Sequence, residues 1–192
     1  AFAKAARDVP QEFVGDEAHR GDMVWSAAVP EELRSRATAV IGNFPVSQAS
    51  QYTRLEWLQT FSAGVDAYIC PGVLPRGTMV TNASGAYGQS VSEHLFATMW
   101  ALMKNLNRYA SNQRDHQWQD EGPVLSPEGG IALIIGVGDI GSHFAQLAQS
   151  VGMRTFGVRR HADVPAKGIE KMYGFERLET LLPLADVVAM AV

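Results

Sequence analysis

A single cysteine, Cys70, stands in 192 residues. That excludes an intrachain disulfide framework and fits a reducing compartment; flanked by Ile69 and Pro71, it reads as a small buried apolar residue rather than a nucleophile. No apolar run reaches the roughly 18 residues that cross a bilayer, and the opening "AFAKAARDVPQEF" lacks the apolar core of a secretory signal. The basic residues do not gather either. With 16 Lys and Arg against 20 Asp and Glu, net charge −4, no long positive block can track a phosphate backbone. The expectation is a cytoplasmic protein with neither a nucleic-acid nor a membrane partner. Internal repeats and low-complexity segments are absent, and no metal site is assigned.

What is present is an ordinary globular composition, 46% hydrophobic and 19% charged. Short β-type runs alternate with helical ones: "DMVWSAA" (22–28), "PEELRSR" (30–36), "TAVIGN" (38–43), a polar stretch from Ser47 to Thr53, "LEWLQTFS" (55–62) and "GTMVTN" (77–82). Such alternation predicts parallel strands with crossover helices. The Gly- and Ser-rich "ASGAYGQS" that follows marks a hinge near Gly85, dividing the chain into domains 1–85 and 86–192. From Ser90 the period becomes helical, with Val91, Leu95, Phe96, Met99, Trp100, Leu102, Met103 and Leu106 on one wide stripe. Ser90 and Glu93 have the spacing of a capping box that would start this helix. A stripe this wide packs on its own domain and leaves area for a second copy, so a homodimer is expected.

After a polar connector, "IIGVGDIGSHFAQLAQSVGMRTFGVRR" (134–160) joins an apolar strand, a glycine loop, an amphipathic helix (Ile140, Phe144, Leu147, Ala148, Val151), a C-capping Gly152 and a second strand. Gly136, Gly138 and Gly141 make the G-x-G-x-x-G spacing. Its chemistry needs glycine for a tight turn, for close approach of a pyrophosphate to the backbone, and for packing of helix on strand. The helix N-terminus then offers its amides and dipole to the phosphates. By chance the spacing alone is weak; in this strand–loop–helix–strand setting it predicts a bound dinucleotide. Units that prefer NAD carry an Asp or Glu about 20 residues past the loop, on the ribose 2′-hydroxyl. Here Arg159 and Arg160 occupy that place. Guanidinium suits a 2′-phosphate, so NADP(H) is the preferred expectation and NAD(H) the alternative.

Taken in order, "LEWLQTFSAGVD", "VTNASGAYGQSVSEH", "NLNRY" with a later Trp118, the glycine-loop unit and "LLPLADVVAMAV" resemble the D-isomer-specific 2-hydroxyacid dehydrogenases, over nearly the whole chain from about Thr38. The resemblance implies a flavodoxin-like α/β substrate domain and a Rossmann-type dinucleotide domain, with hydride passing between nicotinamide and a small 2-hydroxy or 2-oxo acid in a cleft between them. It implies that Ala63 and Gly64 hold the substrate carboxylate on backbone N–H groups and that Tyr87 faces the substrate, although packing is an equal reading for Tyr87. Gly136, Gly138, Asp139, Ile140, Gly141, Arg159, Arg160 and Val192 become the cofactor-binding candidates. The family's carbonyl-polarising arginine and carboxylate-supported histidine follow the strand that "DVVAMAV" resembles, so the catalytic residues are unknown here. His94 takes a structural or interface role, Arg108, Arg114 and His116 a solvated face, and His143 the exposed side of its helix. The second domain shows about four strands of a usual six, and the expectation is a parent chain longer than Val192 and, at its start, by one strand. The rival reading is a dinucleotide-responsive regulatory protein, similar to corepressors of this fold.

Overall fold

The computed structural model describes residues 4, 6–15 and 26–192. The chain folds into two compact units, Ala1–Ser84 and Gly85–Val192, both α/β with parallel sheets.

In the first unit, α1 (Glu31–Arg34) leads into β1 (Ala39–Ile41), a 3-10 turn (Val46–Gln51), β2 (Trp57–Gln59), α2 (Asp66–Ile69) and β3 (Met79–Thr81). The strands pair in parallel in the order β1-β2-β3. Of the strand expected at 22–28, positions 22–25 lie outside the described residues, and 26–28 are not strand. Phe44, Ala49, Tyr52, Leu55, Leu58 and Tyr68 form the core. Phe44 stacks on Tyr52 at 4.3 Å and meets Tyr68 edge-on at 5.3 Å. The Tyr68 hydroxyl donates to the Phe44 carbonyl and accepts from the Phe44 N–H, so this aromatic brings its own polar partner inside. Cys70 is a correction: it is exposed, with its Sγ 3.2 Å from the Asp66 carbonyl at the end of α2. A four-residue helix is too short to bury both of its ends.

The second unit opens with α3 (Gly88–Met103) and α4 (Leu106–Arg114), followed by β4 (Ile131–Ile135), α5 (Asp139–Ser150), β5 (Arg154–Val158), β6 (Lys171–Tyr173), α6 (Leu178–Leu181) and β7 (Val187–Met190). Its four parallel strands lie in the order β6-β5-β4-β7, the first four places of the Rossmann order 3-2-1-4-5-6. The run "IALII" is apolar throughout because both faces of β4 are covered. Ala132 and Ile134 join Met99 and Met103 of α3 and Phe144, Ala145 and Ala148 of α5. Leu133 turns to the other face, with Phe156, Val158 and Leu181. After α5, Gly152 at φ 82 closes a Schellman motif, its N–H on the Gln149 carbonyl and the Met153 N–H on the Ala148 carbonyl.

Two helix boundaries differ from the sequence pattern. The expected capping box does not form: α3 begins at Gly88, and Ser90 lies inside its first turn with its hydroxyl toward the Tyr87 carbonyl at 3.4 Å. The start of α3 packs on α5: a Cβ at Gly88 would come against the Asp139 carboxylate, the movable end of a side chain, so the first turns of the two helices meet closely at this glycine. The helix also stops before Leu106. Asn105 takes the left-handed conformation at φ 55, one of the few residues that do so at low cost, and α4 starts afresh beyond it. Met99 and Met103 of α3 are buried, whereas Val91, Leu102 and Leu106 are exposed. Among the described residues no helix is long and apolar enough to cross a membrane.

Candidate functional site

β4 runs straight into the glycine loop, and the three glycines answer to three different constraints. Gly136 has φ +89, and a Cβ there would strike the Ala191 carbonyl just past β7. The turn therefore lies tight against the neighbouring strand. Gly141 has no such backbone demand, but a Cβ would strike the Gly136 carbonyl and come within 3.1 Å of Ile134 Cγ2; it is the point where α5 rests on β4. Gly138 differs from both. A Cβ at Gly138 would meet nothing within 4 Å, so the packing of the protein gives no reason for glycine there.

Gly138 is also the N-cap of α5 and supplies no side-chain cap. The Ser142 N–H reaches the Gly138 carbonyl, and the earlier amides of the turn, on Asp139, Ile140 and Gly141, are those a helix start leaves without intrahelical partners. An open space over a glycine, facing free amides and the positive end of a helix, fits a phosphate. Ile140 is half-buried behind this turn. Asp139 points sideways instead: its carboxylate lies against Gly88 and 3.3 Å from His143 Nδ1. That carboxylate sits at the first turns of α3 and α5, where a negative charge is favoured by both dipoles. His143 is on the exposed side of α5. Gly138, Asp139, Ser142, His143, Gln146 and Lys167 line a shallow cavity of about 290 Å³.

Arg159 and Arg160 follow β5, which pairs directly with β4, so the two arginines lie at the same carboxyl edge as the loop. Arg160 is exposed. Arg159 is half-buried and its guanidinium donates to three backbone carbonyls, those of Val137 (3.1 Å), His161 (2.9 Å) and Val164. Val192 is exposed beyond β7, with its Cγ1 2.9 Å from where a Gly136 Cβ would stand.

In the first unit, Ala63 and Gly64 are exposed in the loop that leaves the carboxyl end of β2. The loop's carbonyls are tied down. Asn82 Nδ2 donates to the Ala63 carbonyl at 2.6 Å, Ser62 Oγ to that of Gly64 at 2.8 Å, and Thr60 Oγ1 to that of Ser62 at 2.7 Å. From the other side, Asn43 Oδ1 accepts the Phe61 N–H at 2.9 Å. Among the described residues the N–H groups of Ala63 and Gly64 have no acceptor. Fixed carbonyls and free amides make a nest for an anion. The two braces lie just past their strands, Asn43 two residues beyond β1 and Asn82 directly after β3; an asparagine close behind a strand is the signal in the sequence that points to them. Tyr87 stands at the head of α3, 42% exposed. His94 is exposed on α3, and Arg108 reaches Glu121 at 3.8 Å on the surface.

Residues 96–192 match the family described as "D-isomer specific 2-hydroxyacid dehydrogenase, NAD binding domain". The chain belongs to this family. Among its relatives, glycerate dehydrogenase of Methylorubrum extorquens is 25% identical over 173 residues, 85% of this chain and 52% of that protein. D-3-phosphoglycerate dehydrogenase of Bacillus subtilis is 30% identical over 105 residues, 54% of this chain and 20% of that protein. A solved structure, a D-isomer specific 2-hydroxyacid dehydrogenase family protein from Aeromonas salmonicida subsp. salmonicida A449, superposes with a TM-score of 0.74 at 28% identity, covering 84% of this chain and 52% of that one. The match spans about half the length of some curated relatives, 45% and 52% for two of them, and a smaller share of others, 20% and 26%.

Proposed function

We propose that this chain carries the dinucleotide and substrate-carboxylate sites of an oxidoreductase acting on a small 2-hydroxy or 2-oxo acid. The observation that carries the reading is the contrast among the glycines: Gly136 and Gly141 are required by packing, whereas Gly138 keeps a space that the protein itself does not use. A nicotinamide dinucleotide held there would supply or accept hydride at the 2-carbon of the acid. Gly136, Gly138, Asp139, Ile140 and Gly141 would hold its pyrophosphate, Arg159 and Arg160 would stand at the adenosine ribose, and Val192 would border the loop. The arginines favour NADPH over NADH, since guanidinium attracts a 2′-phosphate and no carboxylate competes for the 2′-hydroxyl. Ala63 and Gly64 would bind the acid's carboxylate through their two amides, whose peptide planes are held by the Thr60 contact to the Ser62 carbonyl and the Asn82 contact to the Ala63 carbonyl. The groups that polarise the carbonyl and deliver the proton are not assigned to any residue here. The single cysteine fits a cytoplasmic setting, and the exposed Leu102, Leu106 and Trp118 offer apolar area for a second copy of the chain.

Titration with NADPH and NADH, followed by calorimetry, tests the reading. Saturable binding of one dinucleotide per chain, tighter for NADPH, is expected. Equal affinity would remove the NADPH preference, and no binding of either up to millimolar concentration would remove the dinucleotide site.

A further inference from the structure

Arg159 and Arg160 are adjacent, yet the fold uses them differently. The Arg159 backbone is anchored, its N–H donating to the Tyr173 carbonyl of β6. Its side chain spends three donors on carbonyls from two separate loops. Nη1 reaches Val137, in the middle of the glycine loop, while Nε and Nη2 reach His161 and Val164 in the segment after β5. A guanidinium has five N–H donors in one plane, and the Nε–Nη2 edge that grips an oxyanion in two-point fashion is already taken. Arg160 is exposed and, among the described residues, has no such commitments.

The Val137 contact reaches further than the carbonyl it touches. A peptide unit is planar and trans, so its C=O and the following N–H point in opposite directions. Holding the Val137 oxygen at 3.1 Å therefore aims the Gly138 N–H away from Arg159, and Gly138 is the glycine with open space above it. We propose that Arg159 is a positioning residue: it sets the Gly138 amide for the pyrophosphate and joins the glycine loop to the 161–164 segment, leaving Arg160 as the member of the pair that senses a 2′-phosphate. This rests on the reading of the second unit as a dinucleotide site, and it divides a role that the sequence gives to both arginines.

The experiment compares Arg159→Ala, Arg159→Lys and Arg160→Ala with the parent chain, measuring Kd for NADPH and NADH, the melting temperature, and the Gly138 amide cross-peak in a nitrogen-correlated NMR spectrum. Loss of charge-assisted contacts to the loop should weaken both dinucleotides about tenfold in Arg159→Ala, with the NADPH/NADH ratio kept within about twofold of the parent and the Gly138 amide shifted. Arg159→Lys keeps the charge but not the planar fork, and should weaken both dinucleotides in the same proportion, which also covers the case of an alanine variant that fails to fold. Arg160→Ala should weaken NADPH alone and leave the Gly138 amide in place. A loss confined to NADPH in either Arg159 variant, or an unmoved Gly138 amide, would overturn the proposal. A parent chain that binds neither dinucleotide would sink the dinucleotide reading instead, and the amide shift in Arg159→Ala would still decide whether the clamp exists.

Discussion

Replacing Gly138 and Gly141 by alanine, one at a time, should separate binding from folding within four residues of chain. At Gly141 the new methyl meets the Gly136 carbonyl, a backbone atom that cannot swing aside, and Ile134 Cγ2 at 3.1 Å. Overpacking of this kind costs about 1–3 kcal/mol, with the upper end favoured by the rigid neighbour. Alanine returns about 1 kcal/mol in a helix through its better propensity, leaving a net loss of about 2 kcal/mol. A domain of this size loses about 4–8 °C per kcal/mol, so the second unit should melt about 8–16 °C lower. At Gly138 the methyl meets nothing within 4 Å, and φ is −101, so no left-handed strain arises. Melting should stay within about 0.5 kcal/mol of the parent. The methyl would however occupy the place of a phosphate oxygen, and dinucleotide affinity should fall at least about tenfold, or 1.4 kcal/mol. Differential scanning calorimetry and a cofactor titration on the same samples read both quantities. If Gly138→Ala melts as low as Gly141→Ala, or binds dinucleotide as the parent does, the assignment of separate duties to the two glycines is wrong.

Three further outcomes follow from the geometry. Asn82→Ala removes the donor that holds the Ala63 carbonyl; about 1 kcal/mol of loop order should be lost, seen as weaker binding of oxamate, a 2-oxo acid analogue, with the dinucleotide affinity unchanged. Tyr52 is fully buried, and its hydroxyl has no hydrogen-bond partner among the described residues; desolvation pushes its pKa up to about 12, against an opposing pull from Arg34. Because the folded value lies above the ordinary 10.0, stability is intact below pH 10 and is lost as pH rises toward 12, by up to about 2.7 kcal/mol. Tyr52→Phe should abolish that alkaline loss, and a denaturant series between pH 9 and 12 checks it. At acid pH the Arg154–Glu170 pair, 2.7 Å apart, acts in the opposite sense. The hydrogen bond and charge of Arg154 hold the Glu170 carboxyl below its ordinary value, so its contribution is present above about pH 4.5 and is lost as pH falls through the folded value; Arg154→Gln should flatten that limb of the stability curve.

What could be read in advance was what depends on neighbours in sequence. The strands "IALII" and "RTFGV" appear at the residues where the pattern placed them, because the first is an uninterrupted apolar run ending at the glycine loop and the second is a short run rich in β-favouring residues that follows a helix end. Gly152 announced the end of α5 for the same reason: only a left-handed residue closes a Schellman motif cheaply. What escaped the sequence depends on approach between distant segments. Ser90 and Glu93 have the right spacing for a cap, but α3 already starts at Gly88, where it meets the Asp139 carboxylate of α5, a contact that no local spacing announces. Asn105 interrupts an apolar stripe that reads as continuous. Arg159 shows the limit most clearly. Its charge and place were legible, and pointed to a phosphate, whereas the carbonyls that claim its guanidinium come from residues 137, 161 and 164 and meet only in the folded unit. Likewise Asn43 and Asn82 become braces of one loop only because β1, β2 and β3 lie side by side.

The most direct test of the central claim is calorimetric titration of the parent chain and Gly138→Ala with NADPH and NADH under one buffer. A single saturable site per chain is expected in the parent, with an affinity at least about tenfold weaker in the variant at unchanged melting temperature. A parent chain that takes up neither dinucleotide, or a variant that binds as tightly as the parent, would contradict it.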